Sequence, residues 1–278
     1  MTELQKILGF LKRLASNNNR EWFNAHKQEW READTLCNSL TRRLLDGLAK
    51  TEPDCRRLNV ADCRYRIYRD TRFSPDKTPY KTHIGIYINP PGGKKSLRGG
   101  YYLHLEPGNC LVGAGVWCPE GKLLRMIRQS IFDETDEYLS IINKPEFRKT
   151  FTVIGEDLLK TTPKDFPKDW EHIDLIRPRS YTALAPLEPF EGDDAEFAVR
   201  TLAVMKRAKP FNDFLNYTVD EYEHPDPDED LSHILKRLGK ALYWREAAER
   251  ASIRLRRESA SSFFLYMTNR WSITRYRC

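Results

Sequence analysis

Apolar side chains recur at helical spacing in the first part of the chain. Five of them follow the three- and four-residue intervals of a helix: Leu4, Ile7, Leu8, Leu11 and Leu14. This spacing predicts a helix over residues 3–15. The polar run that follows ends it, and Asn18 or Asn19 can cap a second helix that spans about residues 20–49 with a break. Pro53 closes that second helix.

From residue 65 the pattern changes to the period of two that is typical of β-strands. Four segments follow it: 65–73, 84–88, 101–106 and 111–117. A turn at residues 74–77 separates the first two segments, and a Pro107-Gly108 turn joins the last two into a hairpin. The sequence therefore predicts a four-stranded antiparallel sheet over residues 64–118.

The second half of the chain returns to helical spacing. Helices are predicted over residues 120–143, from Asp193-Asp194 to about residue 209, and over residues 211–222. Residues 160–180 are rich in Pro, Lys and Asp and are expected to be irregular, while residues 180–189 read as a strand or an extended arm. Because alternating β-α-β units are missing, the fold class is α+β, an antiparallel sheet of at least four strands packed with N-terminal and C-terminal helices.

Composition favours a folded protein without a membrane span. Hydrophobic residues make up 40% of the 278 positions and aromatic residues 12%, which is enough for a substantial core. The chain has no run of about eighteen apolar residues and no signal-peptide pattern at its N-terminus, so we expect no transmembrane helix and a cytoplasmic location. The six cysteines show no C-x-x-C motif and favour reduced thiols: Cys37, Cys55, Cys63, Cys110, Cys118 and Cys278.

The net charge of +6 is unevenly distributed along the chain. From Leu231 onward there are 11 Lys and Arg against 3 Asp and Glu, a net charge of +8, while residues 1–230 have 35 against 37, a net charge of −2. We therefore expect residues 1–224 to form a single α+β domain and residues 225–278 to be a basic C-terminal extension, helical or poorly ordered. Such an extension can bind nucleic acid or an anionic surface, or pack on the domain.

Residues 66–83, RIYRDTRFSPDKTPYKTH, place five Lys and Arg side chains and two aspartates in one short stretch. Strand alternation puts Arg66, Tyr68, Asp70 and Arg72 on one face, where residues two positions apart lie about 6.6 Å from each other. One interpretation is an anion site for a phosphate-bearing small molecule or a nucleotide. The other is a structural lattice of salt bridges within the protein. The residue pattern leaves both interpretations open.

If the stretch is a site, its residues divide by their chemistry. Asp70 and His83 are the candidates for proton transfer. The candidate ligand-binding residues are Arg66, Arg69, Arg72, Asp76, Lys77, Tyr80 and Lys81. His83 and His104 could ligate a metal with Asp70 or Glu106, but no spacing such as H-E-x-x-H is present, so we expect no metal site. The sequence names no cofactor and leaves the reaction and the oligomeric state open.

The same stretch resembles the signature of a bacterial protein family. The resembling pattern is Arg66-x-x-Arg69-Asp70-x-Arg72-Phe73-x-x-Asp76-Lys77-x-x-Tyr80. Two further segments are similar to recurrent segments of that family: Asn18-Asn19-Arg20-Glu21-Trp22-Phe23 and Gly113-Ala-Gly-Val-Trp117. The family is designated domain of unknown function 2461, and the resemblance covers roughly residues 3–222. It implies an architecture and a suspected site in the charged stretch, and it implies no reaction.

Overall fold

The N-terminal helices form as the apolar spacing predicts. The computed structural model describes residues 1–90, 92–187 and 192–225. The first helices are α1 (Glu3–Ser16), α2 (Arg20–Ala25), α3 (Lys27–Leu48) and the single turn α4 (Val60–Cys63). Asn19 caps α2 by accepting a hydrogen bond from the backbone N–H of Trp22 at 2.8 Å. The predicted break in the second helix falls at His26, between α2 and α3.

Within the described residues, the strands form one five-stranded antiparallel sheet. Its strands are β1 (Ile84–Ile88), β2 (Gly100–Leu105), β3 (Leu111–Val116), β4 (Val153–Glu156) and β5 (Ser180–Pro186). They lie in the order β1-β2-β3-β5-β4, so the predicted β2–β3 hairpin is confirmed. In β2, Leu103 and Leu105 are fully buried, whereas Tyr102 and His104 alternate to the opposite, half-buried face.

The predicted strand over residues 65–73 is wrong. Beyond the predicted turn the segment folds back on itself, so that the N–H of Arg69 donates to Pro79 O at 2.9 Å and the N–H of Lys81 donates to Ile67 O at 2.8 Å. This local pairing uses backbone groups that a strand of the main sheet would have needed. The sheet is extended instead at its other side by β4 and β5, and only β5 lies where the sequence indicated an extended segment.

Helices resume after β3 and again after β5. They are α5 (Gly121–Asp133), α6 (Thr135–Ile142), α7 (Pro145–Thr150), α8 (Asp194–Arg207) and α9 (Lys209–Glu223). The predicted helix over residues 120–143 is divided at Glu134, and Asp193 caps α8 by accepting from the N–H of Glu196 at 2.8 Å. Helices α8 and α9 contact β3, and α3 contacts α8, so helices from both ends of the chain pack with the sheet. The α+β fold class is confirmed.

A buried asparagine and a glycine fix the packing between the sheet and its neighbours. The side chain of Asn216 in α9 accepts from the N–H of Gly99 at 2.6 Å and donates to Gly99 O at 3.0 Å. Gly115 in β3 has a φ of +107°, and a Cβ at this position would overlap the carbonyl oxygen of Tyr181. These contacts hold β2 and β3 in place, and β2 carries His104.

The described body of the chain ends with α9. Met1–Glu223 form one compact unit. The basic extension expected over residues 225–278 lies, apart from Pro225, outside the described residues. The domain boundary at residue 224 therefore stays a prediction, and so does the conformation of the extension.

Candidate functional site

Residues 66–81 form a short hairpin, here named the charged hairpin, which is anchored to the N-terminal helices. The side chain of Asn18 donates to Tyr80 O at 2.9 Å and accepts from the N–H of Tyr80 at 3.1 Å. The ring of Tyr80 stacks on that of Phe23 with centroids 4.0 Å apart, and Tyr80 is only 4% exposed. Tyr80, a candidate ligand residue from the sequence, therefore lies in the core, where its ring fixes the hairpin.

Two arginines of the charged hairpin pair with its two aspartates. Arg72 forms a bidentate contact with Asp70, in which Nε lies 3.0 Å from Oδ1 and Nη2 lies 2.6 Å from Oδ2. Arg69 donates to the carboxylate of Asp76 and to the hydroxyl of Thr78. Hydrogen bonds from these partners lower the pKa of each aspartate to about 2. These four residues are therefore paired with each other, as the interpretation of a structural salt-bridge lattice describes.

Lys77 lies near the exposed end of the charged hairpin. Its ammonium group donates to the carbonyl oxygen of Thr71 at 2.9 Å, which ties the two sides of the turn together. Phe73 at the same end is 93% exposed, and the guanidinium carbon of Arg72 lies 5.7 Å from its ring centroid. Lys77 is thus engaged with the backbone of its own hairpin.

Arg66 and Lys81 form no ion pair with any acid in the described part of the chain. Arg66 is exposed and acts on Asp70 only through longer-range attraction. Lys81 is half-buried, and its ammonium nitrogen lies 5.4 Å from the ring centroid of Tyr65. Burial, and then the positive charge of Arg66, lower the pKa of Lys81. The two cations therefore lie within electrostatic reach of each other without a carboxylate in contact with either.

A second group of polar side chains lies on the half-buried face of the sheet. His83, which directly precedes β1, stacks on His104 of β2 with ring centroids 4.6 Å apart. His104 is bonded on both sides, since Nδ1 lies 3.0 Å from the hydroxyl oxygen of Tyr102 and Nε2 lies 3.2 Å from Oε2 of Glu106. One nitrogen of each histidine and one oxygen of Glu106 all lie within 4.8 Å of one another. We name His83, His104 and Glu106 the His–Glu cluster.

Neighbouring side chains orient the carboxylate of Glu106. Asn109 donates to Oε2 at 2.9 Å, and Thr82 donates to Oε1 at 3.3 Å. Burial raises the pKa of Glu106, but the hydrogen bonds from Asn109 and His104 outweigh burial, so the net shift is downward. Glu106 is therefore a fixed negative charge at neutral pH.

The charged hairpin and the His–Glu cluster adjoin each other. Burial lowers the pKa of His83 most, and the positive charges of His104, Lys81 and Arg69 lower it further, whereas Glu106 opposes them. Because Lys81 and Arg69 belong to the hairpin, their influence on His83 places both groups in one electrostatic environment. The lowered pKa leaves the His83 imidazole neutral near pH 7, with a nitrogen available as an acceptor or a ligand.

Sequence reasoning missed the residues that support the cluster. Tyr102, Thr82 and Asn109 were not singled out, and Glu106 was considered only as one alternative metal ligand. A signal was present, because the period of two in β2 puts Tyr102, His104 and Glu106 on one face of the strand. The sequence also allowed His83, next to β1, to face His104 across the sheet, and the stacking of the two rings confirms this placement.

The fold and this surface define an α+β protein with a charged hairpin beside a His–Glu cluster on its sheet. The chain belongs to the family described as "Conserved hypothetical protein (DUF2461)", whose model matches residues 6–214. The match includes both the charged hairpin and the cluster, and it confirms the family resemblance of the sequence. No curated protein and no solved structure matches the chain. Among the described residues, no helix is long and apolar enough to cross a membrane.

Proposed function

We propose that the protein binds a phosphate-bearing small molecule or nucleotide-like anion between the charged hairpin and the His–Glu cluster. Arg66 and Lys81 provide the main contacts. The proposal rests mainly on one observation. Arg66 and Lys81 have no acid in contact and the charge of Arg66 acts on Lys81, whereas Arg69 and Arg72 are each paired with an aspartate. A phosphate group can accept hydrogen bonds from a guanidinium and an ammonium group at the same time.

Electrostatics support this position for the anion. Lys81 is half-buried beside Tyr65, where its ammonium group is less hydrated than it would be in open solvent. The charge of Arg66 adds repulsion, and His83 lies within reach of Lys81 as well. A bound anion would offset that repulsion. Because salt screens such interactions, we expect the affinity to fall as the ionic strength rises.

The other candidate ligand residues take supporting roles in this proposal. Arg69 is paired with Asp76 and Arg72 with Asp70, so their charges are already balanced by direct contact. Lys77 is bonded to its own hairpin. These contacts shape the hairpin that presents Arg66 and Lys81. We therefore propose that Arg69, Arg72 and Lys77 position the hairpin and do not contact the ligand.

If the anion is also a substrate, His83 is the residue that we assign to proton transfer. Its lowered pKa leaves a neutral imidazole that can accept a proton near pH 7. Asp70 has a pKa of about 2 and is held by Arg72, so it would be a weak base. Arg66 and Lys81 would then stabilise negative charge that develops on the substrate.

A thermal-shift screen of the full chain tests the anion site. Phosphate, sulfate, nucleotides and sugar phosphates are added separately, and a ligand at 100 times its Kd should contribute about 2.7 kcal/mol to stability. We expect the upward shift of Tm to be lost in Arg66→Ala and Lys81→Ala. Matched controls are Arg56→Ala and Lys12→Ala, which remove exposed cations elsewhere and should keep the shift.

Two results would contradict the anion site. One is the absence of a shift with every anion. The other is a shift that Arg66→Ala and Lys81→Ala retain in full, since the contacts would then lie elsewhere. If Arg69→Ala lowers Tm strongly while no anion has an effect, the charges of the hairpin serve only the lattice of salt bridges.

Nucleic-acid binding through the basic extension is our second proposal, and the charge difference along the sequence favours it. The net charge of +8 from Leu231 onward contrasts with −2 for residues 1–230. Such binding would show a steep dependence on salt, because each neutralised phosphate releases counterions. Removal of residues 225–278 should abolish it, and the cytoplasmic location predicted from the sequence would be consistent with either proposal.

A further inference from the structure

We propose that His83, His104 and Glu106 bind one divalent transition-metal ion, with Zn²⁺ as the representative case. Two imidazole nitrogens and a carboxylate oxygen lie within 4.8 Å of one another, and all three residues are half-buried. Two histidines with one carboxylate are a donor set that Zn²⁺ and related ions favour. The sequence led us to expect no metal site, because the donors lie on neighbouring segments and not at a motif spacing.

The geometry of the His104–Glu106 pair fits such a site. In a tetrahedral zinc site with bonds of about 2.0–2.1 Å, two ligand atoms lie about 3.3 Å apart. His104 Nε2 and Glu106 Oε2 are 3.2 Å apart, so this edge of the site already has the required length. The third donor, on His83, lies within 4.8 Å of these two atoms. The His83 ring stacks on that of His104, so it has to turn for its nitrogen to reach the same ion.

The surroundings also orient the donors as outer-shell partners of metal ligands do. The hydroxyl of Tyr102 lies 3.0 Å from Nδ1 of His104, so Nδ1 can carry the proton and donate it while Nε2 faces the ion. Asn109 and Thr82 hydrogen-bond to the carboxylate of Glu106. Metal binding requires Nε2 of His104 and the carboxylate of Glu106 in their deprotonated forms, so the ion would replace the contact between these two atoms.

Nearby positive charge lowers the affinity of the cluster for a metal ion, and an anionic fourth ligand would offset this charge. Lys81 and Arg69 lie within electrostatic reach of His83, while Glu106 is the one negative ligand. Three protein ligands leave a fourth position open. An anion in that position would balance the charge, and this step alone rests on the proposed anion site. A ligated His83 cannot accept a proton, so metal binding and the proton-transfer role given to His83 above are alternatives.

Metal titration of the full chain tests the site directly. The protein is stripped with a chelator and then titrated with Co²⁺ and Zn²⁺ in a buffer free of phosphate and sulfate. We expect one ion per chain and a visible Co²⁺ absorption spectrum typical of nitrogen and oxygen ligands. His104→Ala and Glu106→Gln should each weaken binding by at least about tenfold, which is the effect expected even for an outer-shell partner.

A matched control is available in another histidine–glutamate pair. Nε2 of His172 lies 3.3 Å from Oε1 of Glu171, nearly the distance found in the cluster, but no third donor of the described residues joins this pair. His172→Ala should therefore bind Co²⁺ as the wild type does. Circular dichroism without metal verifies folding of each variant. If His104→Ala fails to fold, Glu106→Gln is the milder variant, because it keeps the size of the side chain and one of its two acceptor oxygens.

Several results would overturn the metal site. These are the absence of a bound ion, unchanged affinity in both folded variants, or a Co²⁺ spectrum dominated by thiolate charge transfer, which would point to a cysteine. Failure of the anion site can be told apart from failure of the metal site. If only the anion site fails, metal still binds in the anion-free buffer, and phosphate causes no thermal shift either with or without metal.

Discussion

The side chain of Asn18 joins the N-terminal helices to the charged hairpin by pairing with both backbone polar groups of Tyr80. Its amide nitrogen donates to Tyr80 O at 2.9 Å, and its carbonyl oxygen accepts from the N–H of Tyr80 at 3.1 Å. The ring of Tyr80 meanwhile stacks on Phe23. Two of the three segments that carry the family resemblance are therefore one structural unit, in which the helices set the position of the hairpin.

We predict that Asn18→Ala destabilises the protein by about 1–3 kcal/mol, because it leaves the partly buried N–H and carbonyl of Tyr80 without their partner. Urea unfolding of the full chain measures this loss. Asn24→Ala is the matched control, since Asn24 is exposed in α2 and should change stability by less than about 0.5 kcal/mol. Equal effects of the two substitutions would mean that the Asn18–Tyr80 pairing contributes little.

Two substitutions of Tyr80 separate anchoring from ligand contact. Tyr80→Ala should cost about 3–5 kcal/mol, as other aromatic truncations in cores do, while Tyr80→Phe keeps the ring stack and should stay within about 1 kcal/mol of wild type. Unfolding curves give both values. If Tyr80→Phe keeps its stability but loses a thermal shift with phosphate, the hydroxyl contacts the ligand as the sequence suggested.

Much of the fold followed from periodicity, and its failures have physical causes. The apolar spacing predicted α1 and the alternation predicted β2, because each buries one continuous face. The turn after β2 and the short apolar segment that follows it predicted the hairpin with β3, which is buried on both faces. Residues 65–73 show the same alternation, but their charges and the turn at residues 74–77 favour a local hairpin. Residues 153–156 form β4 in only four positions, too few for a period to be visible.

The candidate site was predictable in part for a similar reason. The charged residues of 66–81 are close in the sequence, so the sequence already allowed the Arg69–Asp76 and Arg72–Asp70 pairs that the structure contains. Arg66 and Lys81 could not be separated from the paired arginines, since strand alternation grouped Arg66 with Asp70 and Arg72. The register of β1 against β2, which pairs Gly85 with His104 and so brings His83 close, is a tertiary property.

The two Arg–Asp ion pairs of the charged hairpin should differ in how much they contribute to the stability of the protein. The side chain of Arg69 is 27% exposed and bonds to Asp76 and Thr78, whereas that of Arg72 is 76% exposed. We expect Arg72→Ala to have little effect on stability, because exposed ion pairs contribute little. Arg69→Ala should cost more, about 1.5–3 kcal/mol, because its charged hydrogen bonds are partly shielded from water.

Thermal denaturation of the two variants at low and high salt measures this difference. The effect of Arg72→Ala should vanish in high salt, since exposed charges are screened there, while most of the effect of Arg69→Ala should persist. A larger loss in Arg72→Ala than in Arg69→Ala would contradict the ranking and would assign the bidentate Arg72–Asp70 pair the structural role.

The acid stability of the protein should depend on Asp70 and Asp76. Both carboxyl groups have a pKa of about 2 in the folded chain, below the ordinary value of 3.8, because Arg72 and Arg69 donate hydrogen bonds to their charged forms. The unfolded chain therefore binds more protons than the native one between these two values, and stability rises with pH in that range. The contribution is fully present above pH 4 and is lost as the pH falls towards 2.

Unfolding measured from pH 5 to pH 2 at low ionic strength checks this dependence. Asp76→Asn should reduce the slope of stability against pH, because an amide cannot gain a proton in the unfolded chain. Asp169→Asn removes an exposed aspartate outside the hairpin and serves as the matched control, with the slope of the wild type expected. If Asp76→Asn leaves the slope unchanged, the Arg69–Asp76 pair does not persist in solution, and Arg69 would then be available to an anion together with Arg66 and Lys81.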